Sequence, residues 1–179
     1  MKTVLKNDLS KKYSRGTIAI HWISFLLIVA LIPVGFFMAD TEPSVKKILL
    51  YRLHMVMGVT VFVLTLLRVW FFLKHQRPPK LETGDSLHNK LVVRIENSFY
   101  FVLILLSTSG LATVIFGELG QAIKTSDYTL LSKKLDVPPL VGHQIFAKIL
   151  IALLIVHIAG VINHYIKFKE NTLKRILPK

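Results

Sequence analysis

Four long apolar runs, separated by short segments dense in charge, set the pattern of this chain. The first covers 17–38 and holds no Lys, Arg, Asp or Glu. The second covers 53–73 and is broken only by Arg68; the third, 97–117, is uncharged; the fourth, 142–166, contains Lys148 as its one such residue. At about 1.5 Å per residue, each can cross a hydrocarbon layer about 30 Å thick. The pattern predicts an all-α membrane protein: a bundle of four transmembrane helices at 17–38, 50–73, 97–117 and 142–166, forming one domain over 1–179. Pro138 and Pro139 predict a break just ahead of the fourth helix.

The charged segments orient the bundle. A basic leader before an apolar run can be a secretory signal, but 17–38 is too long for a typical signal core and lacks a small-residue cleavage site, so an uncleaved anchor is expected. The segment before residue 17, the loop between the second and third runs and the C-terminal segment carry 15 Lys and Arg between them, against six in the other two loops. The basic side stays in the cytoplasm, which predicts both termini there. Segment 75–82, with Pro78 and Pro79, reads as an extended inside connection that leaves His75 and His88 solvated. Loop 117–141 is the longest outside segment, with a weak amphipathic pattern around 128–135.

Composition agrees with a membrane protein: of 179 residues, 53% are apolar and 18% charged, with a mean hydropathy of +0.55. The formal charge of +13 would suggest nucleic acid on a soluble surface, but here the basic residues lie between spans, so no nucleic-acid partner is expected. With no Cys, disulfides, thiolate metal sites and covalent haem attachment are excluded. Histidine must carry any metal.

Five of the seven histidines lie in or at the apolar runs: His21, His54, His143, His157 and His164. Ionisable groups are costly inside a bilayer unless paired or ligated. His143 and His157 are too far apart along one helix, about 21 Å, to share an ion. By depth, however, His21 on the first helix matches His157 on the cytoplasmic half, and His54 on the second matches His143 on the outer half. Two histidine pairs, one per leaflet, suit two b-type haems with an axial nitrogen on each face of the iron. A lone histidine in an apolar helix more often bonds a backbone carbonyl, and zinc usually needs three or four converging ligands. Four histidines that match by depth favour haem.

The stretches YSRGTIAIHWISFLLI, YRLHMVMGVTVFVLTLLRVWFFLKHQRPP, GHQIFAKILIALLIVHIAGVINHY and KENTLKRILP together resemble the prokaryotic cytochrome b561 family over nearly the whole chain. The resemblance implies a dihaem protein of the bacterial inner membrane that exchanges electrons with quinone, with His21, His54, His143 and His157 as iron ligands. Similar sequences tend to carry a His early in the third helix and a Pro in its middle, where this chain has Glu96 and Ser107.

His164 continues the His143–His157 stripe toward the cytoplasm, where an imidazole can hydrogen-bond a quinone carbonyl and relay its proton; an interfacial histidine touching only water is the competing reading. Arg15, Arg68 and Lys148 are candidates to pair with haem propionates, with Tyr13 beside them, although Arg68 and Lys148 could equally snorkel. Gly35 and Gly58 could admit a porphyrin near the backbone. Trp22, Trp70 and Tyr51 suit the aromatic belts of a membrane. The function expected is single-electron transfer across the membrane to or from ubiquinone. The donor is a small diffusible reductant such as superoxide, or a partner redox protein. The alternatives are a haem-bearing anchor for a partner dehydrogenase or hydrogenase, and a non-redox membrane protein.

Overall fold

The computed structural model describes residues 7–74, 77–81, 83, 86–131 and 135–177. Its four long helices are α1 (Arg15–Asp40), α2 (Val45–Lys74), α3 (Ser86–Phe116) and α5 (Pro138–Phe168); a short helix, α4 (Leu119–Thr125), lies between the last two. Single 3-10 turns sit at Tyr128–Leu130 and Thr172–Arg175. Each long helix is apolar enough to cross a membrane. Their outward faces carry exposed residues such as Leu26, Phe37, Val56, Phe101 and Ile155, which is stable only against lipid.

The helices outrun the apolar runs because their ends leave the hydrocarbon and are capped in polar surroundings. The Ser14 hydroxyl accepts from the Thr17 amide at 3.2 Å to start α1, and Ser44 does the same for Lys47 to start α2. The helix α3 begins 11 residues before its apolar run, in a charged stretch whose His88 packs on α5 through His164 and Phe168. Pro138 and Pro139 do not precede α5: they form its first turn, where the missing amide hydrogens have no partner to lose. His75 and part of the 75–82 connection lie outside the described residues, as do 132–134 of the expected amphipathic piece.

Packing divides the bundle into two layers. The helix α1 pairs with α2, and α3 pairs with α5; the layers meet mainly where α2 touches α3. Ile28, Val61, Val102, Leu103 and Leu150 fill the middle. At the end away from the termini, α4 closes the bundle by burying Leu119, Ala122 and Ile123 against Ile48 and Leu131. Two cations of that end are structural. Lys47 is buried and donates to the Thr41 carbonyl at 2.6 Å, and Arg52 donates to the Ile123 carbonyl and to the Ser126 hydroxyl.

At the opposite end the two terminal segments are tied together. Arg175 is buried, its Nε donating to the Lys11 carbonyl at 3.2 Å and its Nη2 to the Pro79 carbonyl at 2.7 Å. The Tyr13 amide donates to the Arg175 carbonyl, and Trp22 Nε1 donates to the Ile176 carbonyl at 2.8 Å. One guanidinium thus joins the N-terminal segment, the 77–81 loop and the C-terminal segment over the ends of the helices.

Candidate functional site

His21 and His54 belong to the α1–α2 layer, and His143 and His157 to α5 in the other. Each expected pair therefore faces across the boundary between layers. His54 and His143 have ring centres 6.0 Å apart and planes 71° apart. Two imidazoles trans on one metal, with bonds of about 2 Å and about 1 Å more from nitrogen to ring centre, have centres about 6 Å apart. The observed spacing fits shared ligation.

The second layer prepares His143 for that role. Its Nδ1 lies 2.9 Å from the Leu106 carbonyl of α3. A carbonyl only accepts, so Nδ1 carries the proton and Nε2 keeps its lone pair, the tautomer a metal-binding histidine needs. Gly110, one turn on from Leu106, makes room for the ring. A methyl there would stand 2.9 Å from His143 Cε1 and 3.0 Å from Nδ1. We expect Gly110→Ala to push the imidazole off the Leu106 carbonyl at a cost of about 1–3 kcal/mol. Thermal unfolding and the occupancy of the His54–His143 site measure it; an unchanged midpoint with full occupancy would show that the ring has other room.

Gly35 of α1 backs His54 in the same way, a Cβ there meeting its Cε1 at 3.4 Å, whereas a Cβ at Gly58 would meet nothing within 4 Å. That open space lies one turn from His54 on the same helix.

The second pair, His21 with His157, lies toward the termini. The two rings and Arg68 fall within electrostatic reach of one another. Phe99 packs edge-on to His157 with centres 5.5 Å apart, and Trp22 packs edge-on to His21 at 5.5 Å. Among the described residues, three buried side-chain nitrogens have no hydrogen-bond partner: His21 Nδ1, His54 Nδ1 and Arg68 Nε. Buried donors and acceptors are seldom left bare, and these three sit where iron ligands and a propionate partner were expected. The residues present fit haem. Among the described residues, no three His, Cys, Asp or Glu converge as a metal-holding group, so the sites offer two histidines each.

The remaining candidates separate. Arg68 is half-buried on α2 with its guanidinium 5.5 Å from the Tyr100 ring centre. Tyr13 lies among Glu96, Arg175, Arg77 and Arg68; burial first, then the Glu96 carboxylate, pushes its phenol above the ordinary value. Arg15 opens α1 and is exposed. Lys148 is exposed about 140° around α5 from His143 and so faces away from that ring.

His164 is 5% exposed and is not an open interfacial histidine. Its Nε2 lies 3.2 Å from Glu170 Oε2, and its ring clusters with those of His88 and Phe168, whose centres are 5.7 and 4.9 Å from it and 5.8 Å from each other. Glu170 in turn accepts from the Asn7 amide at 2.9 Å and the Asn7 side chain at 2.8 Å. Burial alone would raise the Glu170 carboxyl, but the donors of Asn7 and then His164 outweigh it and hold it below the usual range. Glu170 does not stand out in the sequence, and His88, expected to be solvated, instead packs on His164 and Phe168. The acid that follows a helix by two residues carries no periodic signal, and its partner Asn7 lies at the other end of the chain.

The comparisons with known proteins cover almost the whole chain. A family model described as prokaryotic cytochrome b561 matches residues 12–179. A protein of Yersinia pestis named probable superoxide oxidase CybB is 25% identical over 182 residues, spanning 94% of this chain and 97% of that protein.

Proposed function

The chain belongs to the prokaryotic cytochrome b561 family, a family of membrane electron-transfer proteins with b-type haem, and from that premise we propose that it is a dihaem superoxide:ubiquinone oxidoreductase of the bacterial inner membrane. Both termini face the cytoplasm. His54 and His143 hold the outer haem, and His21 and His157 the cytoplasmic one. Haem b supplies one-electron iron chemistry when bound.

The observation that carries this reading is the 6.0 Å separation of the His54 and His143 rings across the layer boundary; His21 and His157, within electrostatic reach of one another, support a second site. The rest is what the chain contributes. Leu106 and Gly110 fix the His143 ring. Arg68, with its bare Nε, neutralises a propionate that would otherwise be a buried anion. Overall, two superoxide anions each give up one electron and become dioxygen; one quinone takes both electrons with two protons and becomes quinol. His164, backed by Glu170, handles a proton on the quinone side. The CybB-type name of the Yersinia protein supports superoxide as donor.

The test is a reduced-minus-oxidised spectrum with a haem-to-protein ratio, followed by superoxide-driven reduction of a ubiquinone analogue by the protein purified without partners. Two acid–acetone-extractable haems per chain and quinol formation are expected. A ratio near zero overturns the haem assignment. Two haems without quinol formation would make the chain a relay subunit for a partner dehydrogenase or hydrogenase.

A further inference from the structure

An open groove of about 490 Å³ runs between the two terminal segments, lined by Leu9, Ser10, Lys12, Lys174 and Leu177. Its two sides are tied: Lys12 Nζ donates to the Leu177 carbonyl at 3.3 Å, and Trp22 Nε1 ties the preceding residue, Ile176, to α1. Tryptophan in this amphipathic setting marks the headgroup level of a bilayer. The groove therefore lies where helices leave the hydrocarbon.

Charge around it is one-sided. The segments before residue 17 and after 166 carry ten Lys and Arg against two acids, Asp8 and Glu170. Both acids are already engaged. Asp8 accepts from the Ser10 amide and hydroxyl at 3.0 and 2.6 Å, and Glu170 is held by Asn7 and His164. Lysines 12 and 174 thus offer ammonium donors at the membrane edge, while Leu9 and Leu177 add apolar surface beside them.

We propose that this groove binds an anionic phospholipid, with Lys12 and Lys174 on the headgroup phosphate and Leu9 and Leu177 along the first acyl carbons. Basic pockets at the cytoplasmic ends of membrane helices select anionic headgroups for the same reason: the local field adds to the hydrophobic attraction. The bound lipid bridges the N-terminal and C-terminal segments and so braces the Arg175 tie above the His21–His157 pair. This inference goes beyond the redox reading and does not depend on haem.

The experiment compares the whole protein in nanodiscs of phosphatidylcholine alone with discs in which a quarter is phosphatidylglycerol, reading retained lipid by native mass spectrometry and unfolding by tryptophan fluorescence. Wild type should retain phosphatidylglycerol and unfold at higher temperature in its presence. Lys12→Gln/Lys174→Gln should weaken retention about 30-fold, and the exposed Lys174→Gln alone about fivefold, while both fold normally in phosphatidylcholine. Lys46→Gln/Lys124→Gln, at the other end of the bundle, should change neither readout. The proposal fails if the groove variants keep the lipid, or if the distant pair loses it equally. It also fails if inorganic phosphate in plain phosphatidylcholine discs raises the unfolding temperature as much, which would mark a free-anion site. Should the double variant not fold, Lys174→Gln alone decides.

Discussion

Alanine in place of His54 or His143 is expected to remove one haem and spare the other, and alanine in place of His21 or His157 to remove the second, so that each variant falls from two haems per chain to about one. The size of the effect follows from ligand number. Each site has two histidines and, among the described residues, no third metal-binding group beside them, so losing one ligand halves the coordination that holds the group. With no Cys in the chain, nothing covalent retains it. The sites also separate by depth. His143 and His157 lie 14 residues apart on α5, about 21 Å along its axis, so damage at one has no direct route to the other. Pyridine haemochrome content and low-temperature difference spectra distinguish the variants. His54→Ala and His143→Ala should share one spectral loss, and His21→Ala and His157→Ala the complementary one. A defect shared by His21→Ala and His54→Ala would overturn the pairing. A chain that kept two haems in any of the four would overturn that residue as a ligand.

The approach of His54 to His143 could be read before the structure because depth in a membrane is a one-dimensional coordinate. Counting residues from the end of an apolar run places a side chain within a turn, and antiparallel spans convert the count into neighbours. Rotation about the helix axis was far less legible. Helices in lipid are apolar on all sides, so periodicity does not mark the buried face; only the rare polar residues do, and Lys148 shows that a polar residue can face outward. Apolar runs also could not show where helices end. The first 11 residues of α3 interleave charged and apolar side chains yet are helical, and a contact such as His88 on His164 holds that end. Lys47 and Arg52 counted in the sequence as outside charges, but the structure spends both on backbone carbonyls that helix ends leave unpaired. The role of Gly110 depends on a ring 33 residues away and leaves no local signal, whereas Gly35, a candidate to admit a porphyrin, backs His54.

His164→Ala should leave both haem spectra intact and slow reoxidation of the reduced protein by a ubiquinone analogue by about 10²-fold, the loss usual when a positioned acid–base group is removed. The residue lies seven positions beyond His157 and about 20° from it around α5, hence about 10 Å nearer the end that holds the termini. Glu170 defines what the imidazole can do. Its carboxyl is held below the ordinary range, so it is ionised at neutral pH and presents a fixed negative charge 3.2 Å from the His164 ring nitrogen. The sign for stability follows. A carboxyl lowered in the folded state contributes its stabilisation above its unfolded value and loses it as pH falls through the folded one, so the Asn7–Glu170–His164 tie should weaken only in acid. Glu170→Gln keeps the shape but removes the charge, and should slow quinone-dependent reoxidation roughly tenfold, as loss of a carboxylate behind a functional histidine does. A purely structural tie predicts otherwise: both variants would unfold at lower temperature, by an amount corresponding to about 1–3 kcal/mol, with quinone kinetics unchanged. Stopped-flow oxidation at matched haem content separates the two outcomes, and added imidazole restoring the rate of His164→Ala would identify the lost function as proton transfer. Equal rates in wild type and both variants would remove His164 from the quinone reaction and leave it as the fastening between the last helix and the N-terminal segment.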